Sequence, residues 1–138
     1  MLTKTSFLRF RLKPTIDLTK IFKPGESNSM RLKIPKKLTY NPTKIPGDNV
    51  LSASNLVRYS EICSSVWLES KLDSHHGSVG YYVDLDYKNP LYLDDNMTIN
   101  STVSEVKPGK IKYNIKITKS DTNELIGTCE HIRAIIRF

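Results

Sequence analysis

Apolar and polar side chains alternate through the second half of the chain. Between Lys110 and Lys119, Ile111, Tyr113, Ile115 and Ile117 alternate with Lys110, Lys112, Lys116 and the neighbouring polar positions. A period of two belongs to a strand with one buried face. The same period predicts strands over 78–88, where Val79, Tyr81, Val83, Leu85 and Tyr87 share a face, over 97–106, and over 124–137. Lys107-Pro108-Gly109-Lys110 and Ser120 to Asn123 carry turn residues between these runs. Consecutive strands with short turns predict an antiparallel meander.

Ahead of the strands the period changes. Leu56, Tyr59, Ile62, Cys63, Val66 and Trp67 recur at spacings of three and four, which predicts one helix over 54–72. Ser52 or Ser54 supplies the N-cap oxygen, Lys71 lies near the C-terminus, and Gly77 closes the loop beyond it. The first third is less regular. Leu8, Phe10 and Leu12 alternate with Arg9, Arg11 and Lys13, so 6–13 reads as a strand stopped by Pro14. One or two helical turns over 15–22 end at Lys23-Pro24-Gly25. Met30, Leu32 and Ile34 predict a strand over 29–34, and Pro35, Pro42, Pro46 and Gly47 break up 35–49, with a short strand at 37–40.

These elements make an α+β plan. Each strand has one apolar face that must be covered, and the single helix is the only element long enough to cover it. A curved antiparallel sheet wrapped around one long central helix is the hot-dog fold. Such a sheet leaves an edge strand to pair across a two-fold axis, so a homodimer or dimer of dimers is expected, with 78–88 as the pairing strand.

Composition narrows the function classes. A chain of 138 residues, 38% hydrophobic and 25% charged, fits one globular domain. No apolar run approaches the ~18 residues of a membrane span. The net charge of +7 is uneven: eleven Lys/Arg face three acids in residues 1–50, three face seven in 51–100, and seven face four in 101–138. A basic front could suit nucleic acid, a phosphate-bearing ligand, or only a solvated surface. Neither an arginine-rich cluster nor an RNA-binding aromatic signature supports nucleic acid. Cys63 and Cys129 are too few for a disulfide framework and lack metal spacing, so a reducing, cytoplasmic setting is expected, with Cys63 in the core. The basic start of the chain also fits a mitochondrial presequence, although its alternation is that of a strand. Adjacent His75 and His76 have no matching ligand set and read as a solvated loop, so no metal is expected. Asn96 and Asn100 match the glycosylation pattern without a secretion signal to make it relevant.

Several pieces in order resemble the fluoroacetyl-CoA thioesterase type of hot-dog thioesterase: Val50-Leu51-Ser52-Ala53 leading into the helix, Glu61 on it, Val79-Gly80 opening the next strand, and Gly127-Thr128-Cys129-Glu130-His131-Ile132-Arg133 on the last. The resemblance covers roughly residues 30–138. Residues 1–28 fall outside it as an N-terminal extension, and 29–138 form the thioesterase-like domain. It implies hydrolysis of an acyl-CoA thioester, with CoA as part of the substrate and no further cofactor. The family's site holds a threonine before the helix, a glutamate, a glycine and a histidine. Here the glutamate is Glu61 and the glycine is Gly80, while Ala53 stands at the threonine position and Tyr87 at the histidine position.

Thioester hydrolysis needs a nucleophile or activated water, and donors for the developing oxyanion. Glu61 is the expected catalytic carboxylate, and Gly80 lets backbone N–H groups approach the carbonyl. Ser52, Ser54 and Tyr87 are candidates for the polar contacts that the absent threonine and histidine would make. Lys36, Lys37, Lys44 and Arg58 are candidates for the CoA phosphates. His131, beside Arg133, reads as a packing or structural residue. Three functions remain open: an acyl-CoA thioesterase, a catalytically silent hot-dog protein that binds acyl-CoA, and a basic interaction protein.

Overall fold

The computed structural model describes residues 13–138. Seven strands and one α-helix follow in the order β1 (Ser27–Lys33), β2 (Thr39–Tyr40), β3 (Val50–Leu51), α1 (Ala53–Glu69), β4 (His76–Tyr87), β5 (Asn96–Lys107), β6 (Lys110–Lys119) and β7 (Leu125–Arg137). The strand expected over 6–13 lies outside the described residues except for Lys13, which is in no regular element. The helical turns expected over 15–22 reduce to a 3-10 turn at Leu18–Lys20, and the short strand expected at 37–40 divides into a 3-10 turn at Lys36–Leu38 and β2.

The main sheet is antiparallel, in the order β1-β5-β6-β7-β4, and β2 pairs with β3 in a small ribbon. Only β5, β6 and β7 form the expected meander. β4 pairs with β7 and lies at the far edge. The connection from 88 to 95 carries the chain back across the end of the helix instead of turning tightly. In its course Leu51 N–H donates to Leu91 O at 2.7 Å.

The helix packs on the inner face of this sheet. Buried Leu56, Cys63 and Leu68 face the buried rows Met97, Ile99 and Val103, Ile111 to Ile117, and Cys129. Ser60 and Ser64 are buried on the same helix face, and Ser64 Oγ lies 3.0 Å from Ser101 Oγ on β5. Ser52 is the N-cap: its Oγ accepts the Asn55 N–H at 3.2 Å. The helix ends at Glu69, three residues short of the expected 72, and Gly77 belongs to β4 rather than to a loop.

One irregularity changes which residues face inward. The β4–β7 register shifts between Gly80 and Tyr82, so Tyr81 is an extra residue. A bulge of one residue reverses the facing of everything on one side of it. Val83, Leu85 and Tyr87 pair with the inward His131, Cys129 and Gly127, whereas Gly80, not Val79 or Tyr81, pairs with the inward Arg133. The expectation that Val79 and Tyr81 share a face with Val83 is thereby corrected: both are exposed, and Lys110 Nζ lies 5.0 Å above the Tyr81 ring.

Residues ahead of β1 are built into the same core. Leu18 and Phe22 are buried, and Phe22 meets Trp67 edge-on at 5.2 Å between ring centroids. Leu18 N–H donates to Pro108 O at 2.9 Å, and Thr15 N–H donates to His76 Nε2 at 3.1 Å. His76 is therefore buried, with Asp73 Oδ1 2.8 Å from its Nδ1, and only His75 is exposed as the solvated-loop reading expected. Among the described residues no helix is long and apolar enough to cross a membrane.

Candidate active site

The most polar spot between helix and sheet is built from α1, β4 and β7. Cys129, His131, Arg133 and Ile135 all point inward from β7 and are buried. An imidazole and a guanidinium in an otherwise apolar row need partners, because an unpaired buried polar group is destabilising. Both have them. His131 Nδ1 lies 2.9 Å from Tyr82 O. A carbonyl only accepts, so Nδ1 carries the proton, and Nε2 is free to accept from Arg133 Nη1 at 3.2 Å. Arg133 Nε donates to Ser78 Oγ at 2.9 Å and Nη2 to Ser78 O at 3.2 Å. The remaining direction of the guanidinium is taken by Glu61, whose Oε2 lies 3.6 Å from Nη1. The Arg133 side chain is 8% exposed and that of Glu61 37%, so the carboxylate is the solvent-facing end of the chain of contacts.

Electrostatics follow from this packing. Burial lowers the His131 pKa below its usual value; the Tyr82 carbonyl raises it, Arg133 lowers it and Glu61 raises it. His131 is a neutral acceptor that holds Arg133. Burial also lowers Arg133, opposed by the carboxylates of Glu69 and Glu61. Cys129, in the same row, is pushed up to about 11 by burial, which keeps it an inert thiol.

Gly80 completes the cluster by what it lacks. A Cβ there would stand 2.8 Å from Glu61 Oε2, 2.8 Å from His131 Cε1 and 3.1 Å from Arg133 Nη1. The space beside this glycine is the meeting point of the three side chains. Strand β4 is the last strand of the sheet, and among the described residues none pairs along its other edge. On the solvent side a depression of about 330 Å³ is lined by Ser54, Val57, Arg58, Glu61, Ile62 and Arg133. A larger depression, about 610 Å³, lies on the opposite face of the sheet among Asp84, Asn100, Asn114, Lys116 and Thr128, away from this cluster.

Of the expected site residues, Glu61 and Gly80 meet here, and Ser54 and Arg58 line the approach. Ser52 is occupied as the cap, accepting both the Asn55 N–H and the Asn55 side-chain amide. Tyr87 is not brought to Glu61. Its hydroxyl donates to Leu51 O at 2.9 Å and accepts Leu91 N–H at 3.2 Å, clamping the chain at the start of the helix. Lys36 and Lys37 are exposed beside the helix N-terminus, where Leu38 O accepts from Ser52 N–H and from the Asn55 amide. Lys44 stands on the outer loop in the left-handed region, at φ 61°. Sequence reading gave His131 only a packing role and left Arg133 without one. Their signal was two polar residues at inward positions of the period-two row. Among the described residues no three potential metal ligands converge.

A sequence model described as fluoroacetyl-CoA-specific thioesterase (FlK) matches residues 35–138. None of the curated proteins matches the sequence. Among solved structures, a hot-dog-like protein from Thermanaerovibrio acidaminovorans superposes with a TM-score of 0.78 at 19% identity, covering 88% of this chain and 89% of the other. The fluoroacetyl-CoA thioesterase FlK gives 0.74 at 18%, covering 84% and 89%. A 1,4-dihydroxy-2-naphthoyl-CoA thioesterase from Synechocystis gives 0.66 at 12%, covering 82% and 84%. At these identities the structural likeness establishes the hot-dog fold.

Proposed function

The chain belongs to the fluoroacetyl-CoA-specific thioesterase family, and from that premise we propose that it hydrolyses an acyl-CoA thioester with Glu61 as the catalytic carboxylate. The observation that carries this reading is the convergence of Glu61, Arg133 and His131 on the space beside Gly80. Arg133 orients the carboxylate. His131 accepts from Arg133 and leaves the guanidinium charged and fixed.

Glu61 takes a proton from a water that attacks the thioester carbonyl carbon. The resulting oxyanion is held by backbone N–H groups of β4 near Gly80, with Ser54 lining the approach. Collapse breaks the C–S bond, and the proton on Glu61 goes to the departing thiolate, yielding the carboxylic acid and free CoA. A thiol has a pKa near ~8.5, so this leaving group needs far less help than an alkoxide. That tolerates Ala53 and Tyr87 at positions where the family's pattern has threonine and histidine. The reaction uses no cofactor beyond CoA itself. Arg58, Lys36, Lys37 and Lys44 supply positive charge for the CoA phosphates. A homodimer formed along β4 encloses the half-exposed Glu61.

Ala53 and Tyr87 also favour a second reading, a silent protein that binds acyl-CoA without turnover. Thiol release measured across short, branched and aromatic acyl-CoAs separates the two. Glu61→Gln should lower the rate about 10²–10⁴-fold while the chain still folds and binds CoA. Equal activity of the variant rejects the mechanism, and a wild type that binds CoA thioesters and hydrolyses none establishes the silent binder.

A further inference from the structure

We propose that the cleft between Tyr40 and Tyr87, beside the start of the helix, is a subsite for a purine ring, the adenine of the CoA moiety. The proposal rests on the acyl-CoA reading and adds where the far end of that molecule sits. The cleft holds about 230 Å³ and is lined by Tyr40, Val50, Leu51, Tyr87, Asn89 and Pro90. Tyr40 pairs with Val50 across the β2–β3 ribbon, and Tyr92 pairs with Val50 from the other side, so the Tyr40 and Tyr92 side chains stand on one face. Tyr40 is 54% exposed and Tyr92 44%. Large aromatic faces left in solvent around a cleft suit a flat, π-bearing ligand.

Rigidity supports this use. The Tyr87 ring is fixed by the two hydrogen bonds of its hydroxyl to the chain at Leu51 and Leu91. Asn89 donates its side-chain N–H to Leu125 O at 2.7 Å, which fixes the amide and leaves Oδ1 as an acceptor for an exocyclic amine.

Distance and charge point the same way. Gly80 and Tyr87 lie on one strand, about 20 Å apart at ~3.3 Å per residue once the bulge is allowed for. An extended pantetheine and pyrophosphate arm spans that separation. Along the helix, Arg58 and Ser54 line the depression that begins at Glu61. The Lys36–Leu38 turn adjoins the helix N-terminus close to the tyrosine cleft. Cations therefore stand where the phosphates of a ligand joining the two ends would lie.

Calorimetric titration of the full chain with CoA, adenosine 3′,5′-bisphosphate and pantetheine tests the assignment without requiring turnover. Tyr40→Ala should weaken CoA and the bisphosphate about 5- to 150-fold, the range for one base stacked on one ring, and leave pantetheine affinity unchanged. Tyr40→Phe, which keeps the ring, should bind like the wild type. Because Tyr40 is exposed, loss of fold does not confound the comparison, and a melting curve verifies it. Unchanged CoA affinity in Tyr40→Ala overturns the subsite while leaving thioester hydrolysis standing. Weakened CoA affinity in a protein that releases no thiol supports the subsite and removes only the hydrolytic step. A wild type that binds neither CoA nor the bisphosphate overturns the subsite outright.

Discussion

A methyl group at position 80 would meet Glu61 Oε2 and His131 Cε1, each at 2.8 Å. The two neighbours differ in their freedom to move. His131 is pinned at both ring nitrogens, by Tyr82 O and Arg133, whereas Glu61 is the end of a flexible, half-exposed side chain. Gly80→Ala should therefore displace the carboxylate first. We expect about 1–3 kcal/mol of destabilisation by chemical denaturation and a fall in thiol release larger than that loss explains. His131 carries a second prediction. Its folded pKa lies below the ordinary value of 6.5, so near and below that pH the unfolded chain takes a proton that the folded chain refuses. Stability should then rise with pH through this window and be lost as pH falls below 6.5. Melting curves from pH 5 to 8 should show this slope in the wild type and a weaker slope in His131→Gln.

At the level of elements, the helix start distinguishes two serines two residues apart. Ser52 Oγ accepts the Asn55 N–H, whereas Ser54 is exposed and lines the approach to Glu61. Ser52→Ala should lower stability by about 1 kcal/mol, the usual worth of an N-cap, and Ser54→Ala by much less. Equal melting temperatures for the two variants would falsify this assignment of the cap. The β4 bulge acts on the whole strand. It turns Gly80 inward to the polar cluster and leaves Val79, Tyr81 and Tyr82 outward and exposed. The segment ahead of β1 closes the far end of the helix–sheet groove, with Phe22 against Trp67 and Trp67 against Tyr113 at 5.9 Å. Tyr113 in turn sits opposite His131 on the neighbouring strand, so this aromatic stack supports the wall behind the site.

For the whole molecule, the decisive surface is the outer edge of β4, the last strand of the described sheet. A strand of twelve residues, without a neighbour on one side among the described residues and bearing Val79, Tyr81 and Tyr82 in solvent, is a template for pairing with another strand. The helix adds exposed Val66. Light scattering after gel filtration should give a dimer at micromolar concentration, and Tyr82→Lys should shift it toward monomer. A wild-type monomer at that concentration contradicts edge pairing.

Periodicity alone determined the long helix, the strands β5 to β7 and the inner rows of those strands, but on the helix it put Val66 inward, which is exposed, and passed over Ser60 and Ser64, which are buried. Residues two or 3.6 apart in the chain share a face whatever the tertiary context. The α+β hot-dog plan followed because a single helix must cover the apolar side of the sheet. Glu61 and Gly80 were legible through their order in the chain beside the resemblance. Other features depend on contacts between distant residues, and no local pattern encodes them. The placement of β4 beside β7 was decided by the long return across the end of the helix. The one-residue bulge is invisible in a strand whose outward residues are also apolar, because Val79 and Tyr81 fit an inner face by type and occupy the outer one by register. The pairing of Arg133 with Glu61 joins residues 72 positions apart, and only burial of a guanidinium that must be satisfied explains why the helix carries its carboxylate at that height.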